Sequence, residues 1–117
     1  MYSPIVVEHF FSPRNVGVMD DPDVVGKSGS KQEGEFIILH LKLNGDKIRE
    51  ARFKAFGCGP AIAACSVLTE WTKGKTRQRA RKLTPQKLIE MLGGLPQHKL
   101  FCASLAVDAL KNALKSL

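Results

Sequence analysis

The sequence predicts an α+β domain, with about five helices packed on a small three-stranded antiparallel sheet. Two observations carry that prediction. Asn44-Gly45-Asp46 separates two strand-like runs, Phe36–Leu43 and Lys47–Phe56, and Asn-Gly suits a tight turn with positive φ. Near the end, Cys102, Leu105, Ala106, Ala109, Leu110, Ala113, Leu114 and Leu117 fall on one face at helical spacing. At 117 residues the chain has the length of one domain, 1–117, without internal repeats or an interior linker.

Each element has a local cause. Ser3 as N-cap and Pro4 at the first helical position start a helix over Ile5–Phe11. The run Pro13-Arg14-Asn15-Val16-Gly17 ends it and opens an irregular stretch through Asp23. A short strand follows near Val24–Lys31. The run Phe36–Leu39 is apolar at every position, as expected of a strand covered by helices on both faces. Gly57-Cys58-Gly59 forms a loop, and Pro60 fits the first turn of a helix reaching about Thr72. A basic connector, Lys73–Lys82, precedes a short helix that Thr84-Pro85 starts and Gly93-Gly94 stops.

The charge is uneven. The chain carries 18 Lys/Arg against 11 Asp/Glu, for +7. Most of the excess is in the second half, and Lys73, Lys75, Arg77, Arg79, Arg81 and Lys82 supply six cations in ten residues. Such a run is either a solvated face or a docking surface for an acidic protein. Nucleic acid is not expected, because aromatic residues do not interleave with the charges and no helix-turn-helix or zinc-finger spacing occurs. No apolar run approaches the ~20 residues of a bilayer span, so no membrane partner is expected. The N-terminus lacks a secretion signal, which predicts a cytoplasmic protein whose three cysteines stay as thiols.

Two cysteines stand where chemistry can occur. Cys58 lies between two glycines at a strand-to-helix turn, faced by the N–H groups of the next helix, a setting that suits a thiolate. Cys102 opens the last helix. Together they can form half a metal site or a nucleophile with a helper; equally, both can be small buried residues. Cys65 lies seven residues beyond Cys58, roughly 10 Å along the helix at ~1.5 Å per residue, and is expected in the core. His9 and His40 are expected to be structural. His98 is the imidazole nearest Cys102 in sequence and can stand in as a ligand.

The run Ala51-Arg52-Phe53-Lys54-Ala55-Phe56-Gly57-Cys58-Gly59-Pro60-Ala61-Ile62-Ala63, continued by Thr69-Glu70-Trp71 and Lys73-Gly74-Lys75, closely resembles the IscU/NifU N-terminal family of iron–sulfur cluster scaffolds. Tyr2-Ser3, His9-Phe10, Pro13–Gly17 and the segment Cys102–Leu110 extend the resemblance over essentially the whole chain. It implies a three-stranded antiparallel sheet with helices, and a [2Fe–2S] cluster or zinc held at one tip by three cysteines, an aspartate and a histidine. It also implies sulfur delivery from a cysteine desulfurase, with an Hsp70-type chaperone and a frataxin-like protein as further partners.

Carried over residue by residue, the match is divergent. Cys58 and Cys102 match the second and third cysteines. Glu33 stands where the first cysteine should, Glu35 where the aspartate should, and Phe101 where the histidine should. The implied metal set is therefore Cys58, Cys102, Glu35 and Glu33, with both glutamates pointing the same way if they lie on a strand. Thiolates suit clusters and carboxylates are harder donors. This set is expected to hold iron, zinc or a labile [2Fe–2S] cluster. Of the chaperone segment, Leu95, Pro96 and Lys99 match and the centre does not; a plain loop explains the stretch equally well. The resemblance predicts a scaffold that relays its cargo and turns over no substrate. A persulfide-accepting sulfur-transfer protein, or a pseudo-scaffold interaction module without metal chemistry, are the alternatives.

Overall fold

A computed structural model describes every residue except Ser116. Helix α1 (Pro4–Phe11) leads to strands β1 (Val24–Ser30), β2 (Glu35–Asn44) and β3 (Lys47–Phe56). Helices α2 (Gly59–Thr72), α3 (Arg77–Arg81), α4 (Pro85–Met91) and α5 (Leu100–Leu114) follow, with a 3-10 turn at Gln97–Lys99 before α5. The sheet is antiparallel in the order β1-β2-β3. The predicted fold class is the observed one.

The local signals act as expected. Ser3 Oγ accepts from Val6 N–H with Pro4 opening α1, and Thr84 Oγ1 accepts from Lys87 N–H with Pro85 opening α4. Gly45 turns the β2–β3 hairpin at φ 61°. The basic connector is not all loop. Thr76 caps α3 through Arg79 N–H, and Ala80, fully buried, anchors it. Arg77 N–H also donates to the Asp46 carbonyl and Ile48 N–H to that of Lys75, tying α3 to the hairpin tip.

The helices cover one face of the sheet, which corrects the expectation for Phe36–Leu39. Ile37, Leu39 and Leu41 are buried beneath helices, paired with Ala55, Phe53 and Ala51. Phe36, Ile38 and His40 face the other way and are half-exposed. Phe36 keeps company there with Phe56, their rings stacked 6.3 Å apart and Lys31 Nζ within 5.8 Å of both centroids.

Helix α5 lies across β1. Gly26 makes the crossing possible: a Cβ there would meet the Ala109 and Ala113 backbone, with Ala113 Cβ only 2.8 Å away. Ser28 Oγ donates to the Leu105 carbonyl and Asn112 Nδ2 to that of Lys27, each at 2.7 Å. Its buried face comprises Cys102, Ala103, Ala106, Val107, Ala109, Leu110, Ala113 and Leu114; Leu105 is half-exposed and Leu117 exposed. This pinning fixes where Cys102 sits. Among the described residues, no helix is long and apolar enough to cross a membrane.

Candidate metal centre

The end of β3, the start of β2 and the N-termini of α2 and α5 meet at one end of the sheet. Cys58 is the N-cap of α2, with extended backbone (φ −81°, ψ 165°) and no capping bond from its side chain. Its sulfur is therefore free to face α5, where Cys102 is brought to the same point. The two Sγ atoms are 3.5 Å apart, and both cysteines are free thiols. Cys58 is half-exposed and Cys102 fully buried.

Glu35 completes the inner group. As the first residue of β2 it lies beside the Gly57 backbone, its Oε2 buried without a hydrogen-bond partner. An unpartnered buried carboxylate oxygen is costly, and a cation is the natural way to satisfy it. The Cys102 thiol is pushed up to about 12, first by burial, then by hydrogen bonding to Cys58 and by the charges of Cys58 and Glu35; Lys99 opposes the shift.

Glu33 departs from the expectation. It belongs to the turn between β1 and β2, not to a strand, and is exposed, with Oε1 accepting from Ser30 Oγ at 3.0 Å. The two glutamates therefore do not share a strand face. They do line one cleft of about 400 Å³, together with Gly29, Phe101, Ser104 and Leu105. Among the described residues, no three His, Cys, Asp or Glu side chains are gathered as a ready-made metal site. The structure puts the Cys58 and Cys102 sulfurs in contact, sets Glu35 beside the neighbouring Gly57, and leaves Glu33 at the rim.

Lys99, expected in the chaperone segment, lies in the 3-10 turn just before α5 and Cys102. Its ammonium is held above the ordinary lysine range, chiefly by interaction with Cys58, with Cys102 and Tyr2 adding to it. Leu95 packs against the core and Pro96 is half-buried ahead of that turn. His98 is exposed in the same turn.

The other candidates are structural. Cys65 is buried in the core, and burial pushes its thiol up. His9 bonds Ser66 Oγ at 2.7 Å through Nδ1, and His40 Nδ1 accepts from Met19 N–H at 2.9 Å.

The sequence model of the NifU-like N terminal domain matches residues 1–117. The chain belongs to that family. Family relatives include the IscU 1 iron–sulfur cluster assembly scaffold protein of Archaeoglobus fulgidus, 44% identical over 97% of this chain and 74% of its own. The IscU scaffold protein of Azotobacter vinelandii is 43% identical over 97% of this chain and 91% of its own. Among solved structures, a SUF-system scaffold protein from Fervidobacterium islandicum superposes with a TM-score of 0.77 at 22% identity, over 97% of this chain and 96% of that one. The N-terminal domain of a NifU-like protein from Brucella abortus gives 0.75 at 17%, over 97% and 91%. Both likenesses show the family fold.

As a donor set, the two sulfurs fit a single tetrahedral metal. Two thiolates on zinc, with Zn–S near 2.3 Å, lie about 3.8 Å apart. The observed 3.5 Å is within a few tenths of that. The set fits a durable [2Fe–2S] cluster less well, since two thiols and one carboxylate do not supply the four soft donors such clusters favour.

Proposed function

We propose that this protein is an iron–sulfur cluster assembly scaffold whose cargo is iron, zinc or a labile [2Fe–2S] cluster. The cargo binds between Cys58 and Cys102, with Glu35 as third donor and Glu33 reaching in from its turn. The observation that carries the reading is the pair of free thiols 3.5 Å apart beside the unpartnered Glu35 oxygen. Membership of a family whose relatives are scaffold proteins supports it. In this role the protein holds and relays its cargo and turns over no substrate. Hard carboxylate donors make the ligation weak, which suits relay more than storage.

The reading implies a cysteine desulfurase as sulfur donor and a cytoplasmic setting in which thiols stay reduced. An Hsp70-type chaperone would read the exposed part of the Leu95-Pro96 to Lys99 loop, in competition with the packing of Leu95. A frataxin-like protein is the third partner the family reading implies.

Titration of the reduced protein with zinc and with ferrous iron tests the proposal. One equivalent should bind, and Cys58→Ala or Cys102→Ala should abolish it. No binding that depends on these thiols would sink the metal reading. Reconstitution alongside Glu33→Cys tests the ligation: the wild type should give a short-lived chromophore and the variant a durable one. A durable wild-type cluster would overturn the argument for weak ligation.

A second reading is favoured by one observation, the half-exposed Cys58 sulfur at the N-cap of α2 with no capping bond of its own. Here the Cys58 thiolate attacks the outer sulfur of a desulfurase persulfide. An S–S bond forms at Cys58 as the desulfurase S–S bond breaks, and the desulfurase cysteine leaves as a thiolate, with no net oxidation. A mass gain of one sulfur on Cys58 after incubation with desulfurase and cysteine would support this; no adduct would count against it.

A further inference from the structure

The far end of the sheet carries a second built surface. The site occupies the start of β2, and ten residues later, roughly 30 Å at ~3.3 Å per residue, the strand ends at the hairpin to which α3 is tied. There a pocket of about 340 Å³ is lined by Trp71, Arg79, Lys82, Leu83 and Lys87. Its apolar part is the half-buried Trp71 indole and buried Leu83, and its rim is three exposed cations. Lys75 Nζ lies 5.2 Å from the Trp71 ring centroid, adding a fourth positive charge.

The frame around these cations is fixed. Arg77 pairs with Asp46 at 3.5 Å, and Arg81 donates to the carbonyls of Leu114 and Leu117. Arg79, Lys82 and Lys87, by contrast, pair with no carboxylate among the described residues. Three like charges are thus held close together around an apolar pocket, at a cost in mutual repulsion that an anionic partner relieves. A merely solvated basic run would not need the pocket.

We propose that this pocket docks an acidic segment of a partner protein, one apolar side chain seated on Trp71 and Leu83 and flanking carboxylates on Arg79, Lys82 and Lys87. Protein is favoured over nucleic acid because the cations gather around one apolar pocket instead of tracking a backbone, and the elements here are helices of five and seven residues. Docking at this end leaves the cysteines open, so a partner can stay bound while cargo enters or leaves.

Trp71 is the chain's single tryptophan, so its emission reports on the pocket directly. The probe is a short synthetic peptide with a central Phe-Leu pair flanked by Glu and Asp, lacking Trp and Tyr. It should shift the emission saturably at low salt. Binding should weaken by about tenfold or more at high salt, where the Debye length shrinks to ~3 Å. The triple variant R79E/K82E/K87E should lose the response by a similar factor, whereas K111E/K115E, on a different basic patch, should keep it. All five positions are exposed, and circular dichroism of each variant confirms that it is folded. No saturable shift overturns the proposal. So does equal binding of polyglutamate, tighter binding of a single-stranded oligonucleotide, or an emission change with protein concentration alone, which would make a second copy the occupant.

Discussion

The Glu35 carboxylate lies directly on the backbone of Gly57, in the space a side chain at 57 would fill. Gly57 also has φ 148°, where residues with a Cβ are strained. One glycine therefore both makes the bend into Cys58 and leaves room for a buried carboxylate oxygen. Gly57→Ala should destabilise the fold by about 1–3 kcal/mol through backbone strain, and should also expel the carboxylate. Metal affinity, measured by competition with a chromophoric chelator, should fall about tenfold. Combining it with Glu35→Ala separates the two effects: affinity should fall no further than in Glu35→Ala alone, while the strain persists. Independent, additive losses of affinity would show that Gly57 does not act through Glu35.

The thiols should differ sharply in reactivity. Cys58 is half-exposed, while Cys102 is buried with its thiol raised to about 12. Alkylation needs the thiolate and access to it, so at pH 8 Cys102 should react far more slowly than Cys58. Iodoacetamide labelling of the reduced, metal-free protein, read by peptide mass spectrometry, should mark Cys58 first and leave Cys65 and Cys102 until the chain unfolds. Cys58→Ala removes two of the causes that raise Cys102 and should speed its labelling, with burial still holding it back. Labelling of Cys102 as fast as Cys58 would contradict the packing described above.

The sequence made some of this legible and concealed the rest for physical reasons. The caps of Ser3 and Thr84 are bonds from N–H groups three residues on, with Pro4 and Pro85 in the first turn, so short-range reading placed α1 and α4 well. The Asn44-Gly45 turn and the apolar face of α5 are likewise local or periodic. Three things depend on tertiary contacts. Gly34 at φ 82° closes the turn that takes Glu33 off the strand, so the period-two argument for the glutamate pair does not apply. Helix α3 is too short to show a period, and is held by Ala80 burial and by bonds to the hairpin. Cys58 meets Cys102 only because two helix N-termini, far apart in sequence, converge. The Phe36–Leu39 run misled for another reason: apolar side chains on the open face cover one another instead of meeting a helix.

Gly26 is the hinge between sheet and site. Helix α5 passes so close over β1 that a Cβ at 26 would strike the Ala109 carbonyl and the Ala113 backbone, and neither can move without shifting the helix. Gly26→Ala should cost about 1–3 kcal/mol or more as overpacking. Because the same helix carries Cys102, the variant should also expose that thiol and lower metal affinity, although residue 26 lies three β1 positions before the cleft-lining Gly29. Chemical denaturation and Cys102 labelling rates should change together. A stability loss without any change at Cys102 would show that α5 absorbs the displacement before its N-terminus.

The acid limb of stability should belong to His9. It is buried, and its Nδ1 faces Ser66 Oγ, which already accepts from Arg14 N–H at 2.9 Å. Burial pushes the His9 pKa below its ordinary value, Arg14 adds to this, and Glu70, 3.8 Å from Nε2, only partly opposes it. The unfolded chain therefore takes up the proton first. Stability is full above an unfolded pKa near 6.5, and declines as pH falls from there through the lower folded value. Melting temperatures should drop from pH 7 to pH 5 in the wild type. The fall should be shallower in His9→Gln, which has no titrating ring and should start from a lower value because the Ser66 bond is weakened. Parallel curves for the two proteins would assign the acid limb to other groups.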